Sequence, residues 1–150
     1  MPSPAPTTVF TNAAGTLLTH PAGYAVVRYH AGTLQLPDLQ ALVTRLGELL
    51  LQHGWYKMLL DLRALPIISE SIKDWTRTHW QQAGVPRPPV LAQATLLPAN
   101  VFSRLAVSQL QLGGEGDIDI RNFPEEAAAH AYLVGLPAAP LAHQPPLFLR

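Results

Sequence analysis

Lys57-Met58-Leu59-Leu60-Asp61-Leu62-Arg63 is nearly continuous in apolar character. A short run of this kind leaves no face suited to water, so it predicts a strand covered on both sides. Downstream, Ser71 to Gln82 reads as a helix with Ile72, Trp75 and His79 on one face, and Gly84-Val85-Pro86 stops it. Upstream, Leu39, Leu42, Val43, Leu46, Leu49 and Leu50 recur at steps of three and four between Pro37 and His53. One apolar stripe at that spacing predicts an amphipathic helix. Pro37 suits its first turn, Asp38 complements its dipole and Gly54 ends it.

The remaining segments extend the alternation. Gly15 to Thr19 and Tyr24 to His30 are strands joined by the turn His20-Pro21-Ala22-Gly23, which predicts an antiparallel hairpin. Val90 to Leu97 is a strand, and Asn100 caps a helix from Val101 to about Gln111. Gly113-Gly114-Glu115-Gly116 breaks that helix. Asp117 to Arg121 alternates strictly, with Ile118 and Ile120 facing inward, and Pro124-Glu125-Glu126 opens a last helix through Leu133. The predicted fold is α/β: a mixed sheet of about five strands with about four helices, in the order β-β-α-β-α-β-α-β-α. Helical crossovers imply parallel strands after the hairpin.

The chain has 150 residues, enough for one domain with one core. Residues 1–10 read as a flexible Pro-rich tail, 11–136 as the domain and 137–150 as a second Pro-rich tail. The formal charge is zero, and the eight Arg and two Lys are scattered. That argues against nucleic acid, whose phosphates call for a basic stripe. There is no cysteine, which excludes disulfides, thiolate catalysis and cysteine-ligated metals. No apolar run suggests stable membrane insertion, and the N-terminus lacks the pattern of a signal peptide, so a cytoplasmic location is expected. No cofactor is implied. The six histidines form neither His-x-His nor His-Glu-x-x-His, so no metal site is expected. The glycine cluster at 113–116 follows a helix and precedes a strand, the reverse of a phosphate loop.

The order of elements, the strand Met58-Leu59-Leu60-Asp61-Leu62-Arg63 and the closing Phe123-Pro-Glu-Glu-Ala-Ala-Ala-His-Ala-Tyr-Leu133 resemble the SpoIIAA-like and STAS group of small domains. These share the topology of anti-sigma factor antagonists and are sometimes grouped with Sec14-like domains. The resemblance covers roughly residues 13 to 135. It implies a noncatalytic regulatory or protein-interaction module. In the antagonists a serine at the start of the second helix is phosphorylated, within an Asp-Ser-Ser-Gly-like turn. The corresponding stretch here is Ile67-Ile68-Ser69-Glu70-Ser71-Ile72, which lacks the leading Asp and the following Gly.

Ser69 and Ser71 are therefore the candidate phospho-acceptors. Ser71, with Asp74 three residues on, also fits a capping box, which explains it by structure alone. Asp61 and Arg63 share a face near the end of a strand, where they line a crevice, form an internal ion pair or make a helix-capping contact. Trp75, His79 and Trp80 make the most aromatic segment, which reads as core or, if exposed, as a binding patch. Asp61, Arg63, Trp75, His79 and Trp80 are thus the candidate partner or ligand surface. The partner is an unidentified protein, and low charge also allows a homodimer. Two further readings stay open: a carrier of a lipid or small apolar ligand, which needs a roomy apolar pocket, and a small enzyme, which needs Asp61, Arg63, Ser69 or His79 to converge. No catalytic residue is assigned.

Overall fold

The computed structural model describes residues 5–82, 84–112 and 117–140. The glycine turn at 113–116 and residues 141–150 of the expected C-terminal tail lie outside the described residues. Six strands form one mixed sheet: β1 (Thr7–Thr11), β2 (Gly15–His20), β3 (Tyr24–Tyr29), β4 (Lys57–Asp61), β5 (Leu91–Leu96) and β6 (Ile118–Phe123). The helices are α1 (Leu36–His53), α2 (Glu70–Trp75), α3 (Val101–Leu112) and α4 (Glu126–Gly135), and a π-helical turn (Thr76–Gln81) continues α2. The α/β class, the β2–β3 hairpin and the parallel run β3-β4-β5-β6 agree with the sequence reading.

The expected count of five strands is corrected to six. Residues 7–11, mostly placed in the N-terminal tail, form β1, which pairs antiparallel with β2. The prolines end at Pro6, and Thr7-Thr8-Val9-Phe10-Thr11 is β-branched and aromatic, a composition that suits an edge strand. Asn12 secures the turn that follows. Its Oδ1 accepts from the backbone N–H of Ala14 and Gly15, and its Nδ2 donates to the Asp38 carbonyl at 2.9 Å, which ties the edge to the start of α1.

The expected helix from Ser71 to Gln82 is also revised. Ser69, not Ser71, is the N-cap: its Oγ accepts from the Ile72 N–H at 3.3 Å. After six residues the α-helix widens into the π turn, where Gln82 N–H donates to the Arg77 carbonyl five residues back at 3.1 Å. Arg87 fastens the end of that turn. Its guanidinium donates to the carbonyls of Trp80, Gln81 and Pro88 at 2.7, 3.1 and 2.7 Å. The burial of this cation is therefore matched by hydrogen bonds.

Strand order in the sheet is the chain order, β1 to β6. Right-handed crossovers that always step in one direction leave their helices on one face. Accordingly α1, α2 and α3 share a core with Leu17, Ala25, Val27, Met58, Leu91 and Ile118. Alternation along the same strands sends Tyr24, Val26, Leu59, Ala94 and Leu96 to the other face, where α4 alone supplies Ala129 and Leu133. α4 is further held by a 2.6 Å hydrogen bond between the Tyr24 hydroxyl and His130 Nδ1, and its C-terminal end by Lys57 Nζ donating to the Leu136 carbonyl at 2.9 Å.

One close approach sets the spacing of α1. Gly47 lies against the segment after the π turn, and a Cβ there would come within 2.1 Å of the Pro86 carbonyl oxygen. In an exposed helix Gly→Ala stabilises, by up to about 1 kcal/mol. Here the sign is expected to reverse: Gly47→Ala should destabilise by about 2 kcal/mol through overpacking, measured by urea unfolding. A stabilised variant would show that α1 does not sit this close.

Candidate functional site

The carboxyl ends of parallel strands are the usual ligand position in open α/β sheets. In this chain they hold a four-member charge cluster. Arg28 and Asp61 are register partners on β3 and β4, and both point to the α4 face. Arg28 Nη1 donates to Asp61 Oδ2 at 3.0 Å, and its two Nη atoms grip both carboxylate oxygens of Glu126, at 2.8 and 2.9 Å. Arg63 holds Asp61 through Nε and Nη2, both at 2.9 Å, and its backbone N–H donates to Asp61 Oδ1 at 3.1 Å. Arg63 Nη2 also reaches Glu126 at 3.4 Å.

The cluster is balanced, two guanidiniums against two carboxylates. Burial pushes the Asp61 carboxyl up, but its bonds to Arg63 and Arg28 outweigh that and hold it below the usual carboxylate range. Glu126 is held down mainly by Arg28, against the opposing effect of burial. Both Asp61 oxygens are taken up by guanidiniums, so the carboxylate works as an anchor for cations.

The other expected site residues stand apart from this cluster. Ser69 and Ser71 are exposed, with their Oγ atoms 3.0 Å apart, and Ser69 is occupied with capping. Trp75 and His79 are half-buried and stack at 5.0 Å, with His79 Nδ1 3.2 Å from the Trp75 carbonyl oxygen. Trp80 is buried and so offers no partner surface; it lines a partly open apolar pocket between the helices and the sheet. Asp61 and Arg63 do meet, whereas Ser69 and His79 are bonded elsewhere, so the convergence that an enzyme needs is not formed by these four residues. Among the described residues no group of three or more His, Asp and Glu side chains is placed to hold a metal ion. Nor is any helix among those residues long and apolar enough to cross a membrane.

Two features of this end went unread in the sequence. The β4–α2 and β5–α3 connections run side by side, joined by Leu62 N–H to the Leu96 carbonyl at 2.9 Å and Ala99 N–H to the Arg63 carbonyl at 3.3 Å. On the first, Ile67 is 66% exposed; after the second, Val101, Phe102 and Leu105 at the start of α3 are 69%, 68% and 58% exposed. The i, i+1, i+4 spacing of the last three is the signal that marks one helix flank. The second feature is Arg104. It shares a shallow depression with Arg63, Asn122 and Pro98, and its Nε and Nη2 donate to the carbonyls of Pro98 and Ala99. Among the described residues it has no carboxylate partner. Comparison of the chain with protein-family models, curated proteins and solved structures finds no match.

Two measurements check this geometry. Ser69→Ala should cost about 1 kcal/mol for the lost cap, while Ser71→Ala should stay within about 0.5 kcal/mol; equal costs would reassign the cap. Asp61→Asn should cost about 2 kcal/mol, since it weakens charged hydrogen bonds. The pH dependence has a fixed sign. Both carboxyls are lowered by folding, so their contribution is full above the unfolded value of about 4 and is lost as the pH falls through the lower folded values. The wild type should therefore lose stability below about pH 4, and the Asp61→Asn variant should lose less over that window.

Proposed function

We propose that the domain is a noncatalytic interaction module, of the STAS-like kind that its sequence resembles. It takes up a segment of a protein partner at the carboxyl end of its parallel strands. The observation that supports this is the exposed Val101, Phe102 and Leu105 in the first turns of α3, on the same helix as the charge of Arg104. A cluster of large apolar side chains left in water at one end of a small domain is the usual mark of an interaction surface. Aromatic anchors such as Phe102 carry most of the affinity where they can be desolvated.

Charge complementarity defines the occupant. The Arg28–Asp61–Arg63–Glu126 cluster is internally neutral, and among the described residues Arg104 at this end has no carboxylate partner. Its Nε and Nη2 are set by backbone carbonyls, which leaves Nη1 for an incoming group. The segment therefore combines an apolar or aromatic side chain with a carboxylate a few residues away. Ser69 and Ser71, both exposed at the start of α2, stay the candidate phospho-acceptors of such a module.

Selection from a random peptide library tests the proposal. Enriched sequences should pair an aromatic or aliphatic residue with Asp, Glu or a terminal carboxylate. Phe102→Ser and Arg104→Glu should each weaken the selected peptides at least tenfold, and Arg121→Glu, on β6, should leave them unchanged. Peptides without an acid, or binding indifferent to Phe102 and Arg104, would refute it. So would sedimentation showing a dimer that Phe102→Ser dissociates, because a second copy would then cover the surface.

A further inference from the structure

Leu60 stands in the middle of the sheet, with a strand on either side, and faces the three-helix layer, yet it is only half-buried. Ile120 on β6 faces the same way and is half-buried too. The helices therefore leave a partly open apolar pocket over β4, β5 and β6, with a volume of about 100 Å³. Interiors are ordinarily packed without voids much larger than a water molecule. We propose that this pocket is a binding site for a small uncharged molecule that is apolar except for a hydroxyl group, and that the hydroxyl pairs with Tyr29.

The polar groups of the wall divide into those already bonded and those left over. Thr76 Oγ donates to the Ile72 carbonyl at 2.9 Å, and Gln111 and Asn122 exchange two side-chain hydrogen bonds. Gln81 Nε2 donates to the Leu110 carbonyl at 2.8 Å, while its Oε1 is sealed off and open to no ligand. Tyr29 is different. Buried tyrosine hydroxyls ordinarily find a partner, but this one has none among the described residues, and it is not among the sealed polar atoms. Burial pushes its phenol well up from the ordinary value, which places the hydroxyl deep in the fold and keeps it protonated. A deep hydroxyl that is neither bonded nor sealed opens into the pocket.

Two more groups in the same wall stand as Tyr29 does. Trp80 and Gln93 are each 7% exposed. The Trp80 N–H has no acceptor among the described residues. Gln93 is the register partner of Met58 and Ile120, so it rises from the pocket floor. Its Nε2 donates to Thr95 Oγ at 3.1 Å, which leaves Oε1 for another donor. The wall thus offers donors at Tyr29 and Trp80 and acceptors at Tyr29 and Gln93. A hydroxyl, which both gives and accepts, can pair with any of them.

Charge and size narrow the ligand further. No residue of the wall is charged, so an ion would lose its hydration without return. An apolar cavity of roughly 150 Å³ accommodates benzene, and pockets for drug-sized ligands run from about 300 Å³ upward. The space here suits one small ring, with any longer part of the molecule lying in the mouth.

Phenol and toluene form a matched pair of probes: the same ring, carrying a hydroxyl in one and a methyl in the other. Each is titrated into isotope-labelled full-length protein and followed by NMR. Both should shift the methyl groups of Leu60 and Val107 and the backbone amide of Ile120. Phenol should bind at least as tightly as toluene, although water holds it more strongly. Tyr29→Phe removes the hydroxyl and little else. It should lower the affinity for phenol relative to toluene by about fivefold or more. Val107→Phe should fill the space and abolish both, with its thermal unfolding confirming a folded chain. Silence of the wall resonances toward both probes, or a phenol-to-toluene ratio that Tyr29→Phe leaves unchanged, would overturn the assignment. Because Phe102 and Arg104 are not in the wall, this outcome is independent of the peptide selection.

Discussion

A carboxylate drawn out of water must be surrounded by donors, and Asp61 meets that condition by recruiting from two segments of the chain. Arg28 comes from the neighbouring strand, and Arg63 from the connection that leaves β4. Arg28 in turn grips Glu126 in the first turn of α4. The thinly covered face of the sheet, the start of α4 and the path of the β4–α2 connection are thereby fixed to one point. That path runs beside the β5–α3 connection at Leu62 and Arg63, and the second connection leads into Phe102 and Arg104. The proposed interaction surface thus depends on a buried charge that does not itself touch the partner.

The two faces of the sheet have divided their work. On one, three helices delivered by successive crossovers make the larger core and line a partly open pocket. On the other, one short helix covers the middle of the sheet through Ala129 and Leu133, with the charge cluster at its end. The proposed interaction surface lies where both layers stop.

Periodicity made most of the fold legible. The α1 stripe, the buried β4 run and the Asn100 cap each arise within a few consecutive residues, and each is found where local chemistry placed it. The misses have equally local causes. Pro2, Pro4 and Pro6 drew Thr7–Thr11 into a tail, although its β-branched composition suited a strand. Ser69 and Ser71 both precede a helical pattern, and only backbone geometry decides between them. The site was less legible, because its members are joined by register and not by sequence: Arg28 lies 33 residues from Asp61, and Glu126 a further 65 on. The π turn leaves no periodic trace at all.

The order of the strands also settles how the sheet ends. With β1 at one margin and β6 at the other, both outer strands offer unpaired backbone groups, and a chain of zero formal charge has little long-range repulsion to keep neighbours away. Protection is local instead. The register of β1 against β2 shifts between Thr8 and Phe10, which interrupts the even row of donors and acceptors that strand addition requires. On β6, Asp119 and Arg121 stand exposed on one side of the strand, so that an incoming apolar strand would have to strip water from charge. Such protection against strand addition as the fold provides therefore lies at its two margins, not in its overall charge.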